Sequence, residues 1–178
     1  MELSQCGEQW LNGWGEKVDV EAQWEYWLLK SSDLRGLEIE KPRKKVIITQ
    51  HRLNEDTAHL RQEAPKLWAY LLSNSACLDG RKSSIYRNRS RFAIFGIGGY
   101  SFSAYKVAIS GLYKKPRFSL VTPIDGQPVM LDDTCYFLGF DGYLEALFTV
   151  SLFSSALVRQ FIQSVVFTDA KRPYTKEA

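Results

Sequence analysis

The sequence has few of the residues that build disulfide frameworks or metal sites. Its three cysteines, Cys6, Cys77 and Cys135, are far apart and form no Cys-x-x-Cys pair. This argues against a disulfide framework and a zinc site, and it favours reduced thiols in the cytoplasm. The two histidines, His51 and His59, are eight residues apart and have no obvious cysteine or glutamate partner. We therefore expect no bound metal, and surface or capping roles for the histidines.

Long hydrophobic runs are also missing. No apolar run approaches the ~20 residues needed to cross a bilayer, and the first ten residues, MELSQCGEQW, do not have the basic-then-apolar order of a signal peptide. The composition is 45% hydrophobic and 13% aromatic, which excludes a disordered chain. A chain of 178 residues predicts a single domain over residues 1–178. Because an apolar span and a signal-peptide pattern are both missing, we expect no membrane contact and a cytoplasmic location.

Acidic residues are scarce in the middle of the chain. Residues 41–115 hold 15 basic and 4 acidic side chains, a balance of +11, although the whole chain carries only +3. Residues 1–40 have a balance of −6, and residues 116–178 a balance of −2. The basic segment indicates either a polyanionic partner for one face or a solvated surface that is rich in lysine and arginine.

The most informative segment runs from Arg81 to Gly111. Its first eleven residues contain no acid and five basic side chains: Arg81, Lys82, Arg87, Arg89 and Arg91. A run of aromatic and β-branched residues broken by Gly96, Gly98 and Gly99 follows. This order predicts a phosphate-binding surface next to a glycine turn between two strands. If the segment is extended, Arg87, Arg89 and Arg91 share one face.

Periodicity and turn residues give a coarse secondary structure. We predict strands at residues 26–29, 45–50, 92–97, 104–110, 117–121 and 134–140. We predict helices within residues 54–76, with Pro65 opening the second of two, and at residues 143–153 and 156–167. The predicted fold class is α+β, with central, mostly antiparallel or mixed strands flanked by helices. Residues 1–23 read as a tryptophan-rich N-terminal extension.

Two motifs suggest catalysis and are weak. Phe95-Gly-Ile-Gly-Gly resembles a cofactor loop, but it leads into a segment of strand character, and no acid follows until Asp125. We therefore expect no cofactor. Asp132, Asp133, Asp169 and Lys171 could form an Mg²⁺-nuclease site, although an Asp-x-Lys triplet is common by chance.

Several blocks resemble, in order, the C-terminal target-recognition (specificity) domain of TaqI/Eco57I-like N6-adenine DNA methyltransferases of restriction–modification systems. The blocks are KSSDL from Lys30, APKLWAYL from Ala64, RKSSIYRNR from Arg81, RFAIFGIG from Arg91, YKVAISGL from Tyr105, DDTCYF from Asp132 and DAKRP from Asp169. They span about residues 24–177. Spaced blocks of this kind are more specific than one short motif.

The resemblance implies a duplex-DNA recognition module that is not an enzyme on its own. The Asn/Asp-Pro-Pro-Tyr/Phe tetrapeptide of the catalytic domain does not occur in this sequence, so the expected partners are duplex DNA and a separate or missing S-adenosylmethionine-dependent methyltransferase domain. The predicted DNA-binding residues are Arg81, Lys82, Arg87, Arg89, Arg91, Lys106, Lys114, Lys115, Lys171 and Arg172. An alternative is a protein-interaction module that docks on a methyltransferase subunit through the tryptophan-rich N-terminus.

Overall fold

The computed structural model describes residues 1–166 and 173–174 of the chain. It has mixed α and β content, and the predicted α+β class is confirmed. The described strands are β1 (Glu2–Cys6), β2 (Gln9–Leu11), β3 (Glu25–Leu29), β4 (Lys44–Ile47), β5 (Tyr105–Ser110), β6 (Phe118–Val121), β7 (Met130–Leu131) and β8 (Cys135–Phe140). The described α-helices are α1 (Leu60–Glu63), α2 (Pro65–Ser73), α3 (Ser75–Asp79), α4 (Tyr143–Phe153) and α5 (Ala156–Val165).

The chain divides into two compact units. Unit 1 consists of Met1–Tyr26 and Lys44–Tyr100, and unit 2 consists of Trp27–Arg43 and Ser101–Ala178. The chain therefore passes from unit 1 to unit 2 within β3 and returns to unit 1 at β4. After Tyr100, which follows the glycine-rich segment, it remains in unit 2. That all 178 residues form one domain stays a prediction.

Unit 1 is built on a sheet with three antiparallel strands. β1 pairs with β2 on one side and with β4 on the other. Leu3 on β1, Val18 and Val20 are buried in the same cluster as Ile47 and Leu67. The first 23 residues therefore supply two of the three strands and part of the core of this unit.

α1 and α2 are separated at Pro65 as predicted, and α3 is a third helix beyond the two expected within residues 54–76. Ala64 has φ −146° and ψ 70°, a non-helical conformation, so α1 ends before it and α2 begins with Pro65 at its first position. The Glu21 carboxylate accepts hydrogen bonds from the backbone N–H groups of Lys66 and Leu67, at 2.8 and 3.0 Å. It thereby satisfies two of the N–H groups that a helix start leaves unpaired.

Unit 2 contains an antiparallel sheet in the order β6-β5-β8. Val107 on β5 is opposite Leu120 on β6 and Leu138 on β8. Val107 is buried with Ala146 and Val150 of α4, so α4 covers one face of the sheet. In the same unit, Leu28 and Leu29 at the end of β3 pair in parallel with β7.

The strand predicted at residues 92–97 is wrong. These residues form turns and loops, because side chains bond their backbone groups in place of a neighbouring strand. Thr49 Oγ1 donates to the Phe92 carbonyl oxygen at 2.8 Å, and the Ile94 N–H donates to Gln50 Oε1 at 2.9 Å. Gly96 has φ +76°, a conformation that favours glycine. The glycine segment is therefore not a turn between two strands.

No single described helix is long and apolar enough to cross a membrane. α4 and α5 taken together are long and apolar enough by length and composition, but they are bent by 66° at the break between them.

Candidate nucleic-acid interface

Residues 81–91, here called the basic loop, leave α3 and form a compact loop in unit 1. A 3₁₀ turn covers Ser84–Tyr86, and Arg87 has helical angles, φ −57° and ψ −35°. The Arg89 N–H then donates to the Tyr86 carbonyl oxygen at 3.2 Å. Because these turn bonds coil the segment, the expectation that Arg87, Arg89 and Arg91 share one face of an extended strand is wrong.

All five basic residues of the loop line one surface depression of about 290 Å³. Its other lining residues include Tyr86 and one carboxylate, Asp79. The sequence prediction that these five side chains gather is therefore matched by the geometry. The five differ in how much of their positive charge remains free for a ligand.

Arg81 holds the loop together. Its guanidinium donates to three backbone carbonyl oxygens, those of Leu78, Ala93 and Arg91, at 2.7, 2.8 and 2.9 Å. It also lies 4.0 Å from the centre of the Tyr86 ring. Five donors in a fixed planar arrangement suit this role. Arg81 keeps its charge, but most of its hydrogen-bonding capacity is used within the protein.

Arg91 is neutralised by Asp79. Its Nε is 3.1 Å from both carboxylate oxygens, and one Nη is 2.6 Å from Oδ2. The hydrogen bond from Arg91 lowers the pKa of Asp79, and the same bond raises the pKa of Arg91. This pair contributes no net charge to the depression.

Arg89 ties the loop to a neighbouring segment of unit 1. Its Nη1 donates to the Leu53 carbonyl oxygen at 2.6 Å and also to Asn54 Oδ1. Lys82 and Arg87 are different: both are exposed, and among the described residues neither side chain has a hydrogen-bond or ion-pair partner, since the one bond of Arg87 is from its backbone N–H to the Ser84 carbonyl oxygen. They are the two side chains whose charge and donors are free at this depression.

An apolar depression adjoins the cationic one and shares Tyr86 and Arg89 with it. It is lined by exposed hydrophobic side chains, among them Phe95 and Tyr100, which are 57% and 54% exposed. Phe95 lies in the strand predicted at residues 92–97 and Tyr100 follows that strand, so the sequence did not predict this arrangement. The irregular backbone of this segment leaves both side chains at the surface.

The predicted DNA-binding residues of unit 2 differ in their exposure to solvent. Lys106 is 1% exposed, and its ammonium donates to the Ser103 carbonyl oxygen at 2.7 Å. Burial lowers its pKa to about 8. Its assignment to an exposed basic face is therefore corrected, because β5 is the central strand and this side chain points inward. Lys114 and Lys115 are exposed on the β5–β6 connection, next to Arg117 and Arg35, two residues that the sequence analysis missed.

The remaining predictions concern the C-terminal segment and the nuclease alternative. Asp169, Lys171 and Arg172 lie outside the described residues. Asp132 Oδ1 accepts hydrogen bonds from the Thr134 backbone N–H at 3.0 Å and from the Thr134 hydroxyl at 2.5 Å, so it shapes the turn before β8. Among the described residues, no group of three or more His, Cys, Asp and Glu side chains is placed to hold a metal.

Comparison with known proteins shows that the chain is similar to one part of a type II methyltransferase. It is 44% identical over 173 residues to the type II methyltransferase M.NspV of a Nostoc species. The match takes in 97% of this chain but only 36% of that relative, so the chain spans about a third of the length of the curated relative it matches. No family model matches the chain.

Proposed function

We propose that this chain is the DNA-recognition part of a restriction–modification methyltransferase, with the basic loop as its contact to duplex DNA. The observation that carries the proposal is the cationic depression at residues 81–91, in a chain similar over nearly all its length to part of a type II methyltransferase. Lys82 and Arg87 contact phosphates, because their donors are free and their charge is not neutralised.

The apolar depression beside the basic loop supports base contact. Phe95 and Tyr100 are exposed next to Arg89. When Lys82 and Arg87 contact the phosphates of a duplex, the base edges in its groove therefore lie close to these two aromatic side chains. Thymine presents its methyl group in the major groove, and apolar side chains recognise it. We therefore assign positioning to the basic depression and part of the sequence selectivity to the apolar one.

Methyl transfer requires a part that this chain does not contain. The catalytic tetrapeptide of the resembled family is absent from all 178 residues. The chain therefore recognises DNA without methylating it, and the S-adenosylmethionine-dependent domain is its partner, either on another polypeptide or elsewhere on a longer one. We place its action in the cytoplasm, with no cofactor of its own.

Fluorescence anisotropy with a labelled duplex tests the proposal. Binding should weaken linearly in log affinity against log salt, with a slope of about −0.9 for each phosphate contacted. The variant Lys82→Gln/Arg87→Gln should bind about eightfold more weakly at 0.1 M salt for each phosphate that is no longer neutralised, if affinities converge near 1 M salt. Lys17→Gln/Arg61→Gln removes two charges of unit 1 outside the depression and serves as the control. An equal decrease in affinity for both variants would show that only net charge matters.

A second candidate function is docking on a methyltransferase subunit, and one observation favours it. Leu144 and Phe148 on α4, and Leu157 and Phe161 on α5, are each 65% or more exposed. An apolar surface of this kind marks an interaction site in soluble proteins. It differs from the predicted docking surface at the tryptophan-rich N-terminus, where Trp10 packs against the core of unit 1 and Trp14 is 62% exposed.

Docking can be tested with the part of M.NspV that this chain does not match. Mixed with this chain, that part should form a complex, and Leu144→Gln/Leu157→Gln should weaken it at least tenfold by calorimetry. Leu72→Gln, an exposed leucine on α2 of unit 1, is the control and should change nothing. A complex equally tight with both variants would exclude α4 and α5 as the docking surface.

A further inference from the structure

Unit 2 carries a second cationic depression, separate in sequence from the basic loop. It has a volume of about 450 Å³. Its lining residues are Leu34, Arg35, Tyr113, Lys114, Lys115 and Arg117. All four cationic side chains are exposed, and no carboxylate of the described residues lines the depression.

The protein builds this cluster from two distant segments. Arg35 lies in the loop after β3, whereas Lys114, Lys115 and Arg117 lie at the β5–β6 connection. Two contacts of β6 hold the Arg35 loop in place: Ser119 Oγ donates to the Gly36 carbonyl oxygen at 2.6 Å, and the Leu120 N–H donates to the Leu37 carbonyl oxygen at 3.0 Å. Leu34, next to Arg35 in this loop, is buried in a hydrophobic cluster.

Neutral oxygens, and not carboxylates, hold the two arginines. Arg35 Nε donates to the Ser32 carbonyl oxygen at 2.7 Å, and Arg117 Nη1 donates to the Arg35 carbonyl oxygen at 3.1 Å. A carbonyl oxygen fixes the direction of a guanidinium without cancelling its charge, and the other N–H donors remain available. Arg91 in unit 1 is the opposite case, since Asp79 neutralises it.

The lysine backbone is also fixed. The buried Tyr174 hydroxyl donates to the Lys114 carbonyl oxygen at 2.7 Å, and Pro116 between the lysines and Arg117 is buried. The connection therefore has a set course while the Lys114 and Lys115 ammonium groups project from it. Two flexible point charges stand beside two oriented guanidinium groups.

We propose that Arg35, Lys114, Lys115 and Arg117 bind a phosphate group of the DNA backbone, at a site distinct from the basic loop. This rests on the proposed DNA-recognition function and extends it to unit 2. The side chains of the cluster offer many donors, and the Tyr113 hydroxyl is the single side-chain acceptor among the lining residues. Such a set matches a phosphodiester, which presents only acceptors, better than a base edge, which mixes donors and acceptors.

The test uses the full chain, a labelled duplex and two matched double variants. Lys114→Gln/Lys115→Gln removes two charges of the cluster and no side-chain hydrogen bond to another described residue. Arg43→Gln/Arg159→Gln removes two exposed charges of unit 2 that lie outside the depression. Anisotropy is measured from 50 to 300 mM salt, and circular dichroism verifies that each variant is folded.

We expect Lys114→Gln/Lys115→Gln to bind about eightfold more weakly at 0.1 M salt, with a slope shallower by about 0.9, if one phosphate is no longer neutralised. The control should differ from the parent by less than twofold. If the parent and Lys114→Gln/Lys115→Gln bind alike while Lys82→Gln/Arg87→Gln binds weakly, the second site is excluded and the proposed function stands. If the parent chain binds no duplex at 50 mM salt, both proposals fail. Arg35→Gln is a second variant and should lower affinity in the same direction.

Discussion

Arg91 and Asp79 form a two-point ion pair at the rim of the basic loop, with Nε and one Nη of the guanidinium on the two carboxylate oxygens. Asp79 is the one carboxylate among the residues that line this depression. It decides whether Arg91 is available to a polyanion, because a guanidinium already paired with a carboxylate has neither free charge nor free donors on that side.

Asp79→Asn should therefore strengthen binding of duplex DNA. The substitution removes the negative charge and releases Arg91, so one further phosphate contact becomes available. We expect affinity to rise about eightfold at 0.1 M salt and the salt slope to steepen by about 0.9. Anisotropy titrations of parent and variant measure both. Asp19→Asn, which removes an exposed charge of unit 1 that pairs with Lys66, controls for net charge.

Arg87 and Arg89 should respond differently to alanine. Arg87→Ala should lower DNA affinity and leave the melting temperature unchanged, because the side chain has no partner in the described structure. Arg89→Ala removes the bonds to Leu53 and Asn54, and we expect it to cost about 1 kcal/mol of unfolding free energy, or about 2–4 °C in melting temperature. Scanning calorimetry separates the two variants. Equal melting temperatures would contradict the structural role of Arg89.

Lys106 should make stability depend on pH above 8. Burial lowers its pKa from 10.5 to about 8, so between these values the unfolded chain holds a proton that the folded chain has released. The unfolding free energy contributed by this group then rises with pH, by up to about 3 kcal/mol between pH 8 and pH 10.5. Below pH 8 both states are protonated, and the full cost of burying the charge is present.

The measurement compares urea unfolding of the parent and Lys106→Met across pH 7–10.5. The difference between the two proteins isolates Lys106 from other groups. One such group is Cys135, because burial raises the pKa of its thiol to about 12. This thiol ionises more readily in the unfolded chain, so its contribution to the unfolding free energy falls as pH rises. Parallel pH profiles for parent and variant would show that folding does not lower the pKa of Lys106.

The isolated chain should bind no S-adenosylmethionine and transfer no methyl group. The glycine segment from Gly96 to Gly99 does not run from a strand into an α-helix, as a cofactor loop requires. It leads from an irregular stretch into a 3₁₀ turn, Gly99–Phe102. Calorimetric titration with the cofactor should give no heat beyond dilution, and a stoichiometric complex would contradict this interpretation of the segment.

Elements with local signals could be predicted from the sequence. Pro65 marks the start of α2, and its fixed φ dictates this wherever the chain is placed. The alternation of residues in β5 and β6, and the apolar run of α4, likewise predicted these elements to within a residue or two. The charge count of residues 81–91 located the first cationic depression, because five basic side chains in eleven residues cannot be far apart.

Features that depend on contacts between distant segments could not be predicted from the sequence. Residues 92–97 have the composition of a strand, yet Thr49 and Gln50 bond their backbone and hold them in loops. Asp79 neutralises Arg91, burial removes Lys106 from the surface, and β6 places Arg35 beside Arg117, which is 82 residues later in the sequence. Side-chain bonding and burial across such separations are set by packing, and no periodicity or local charge count contains them.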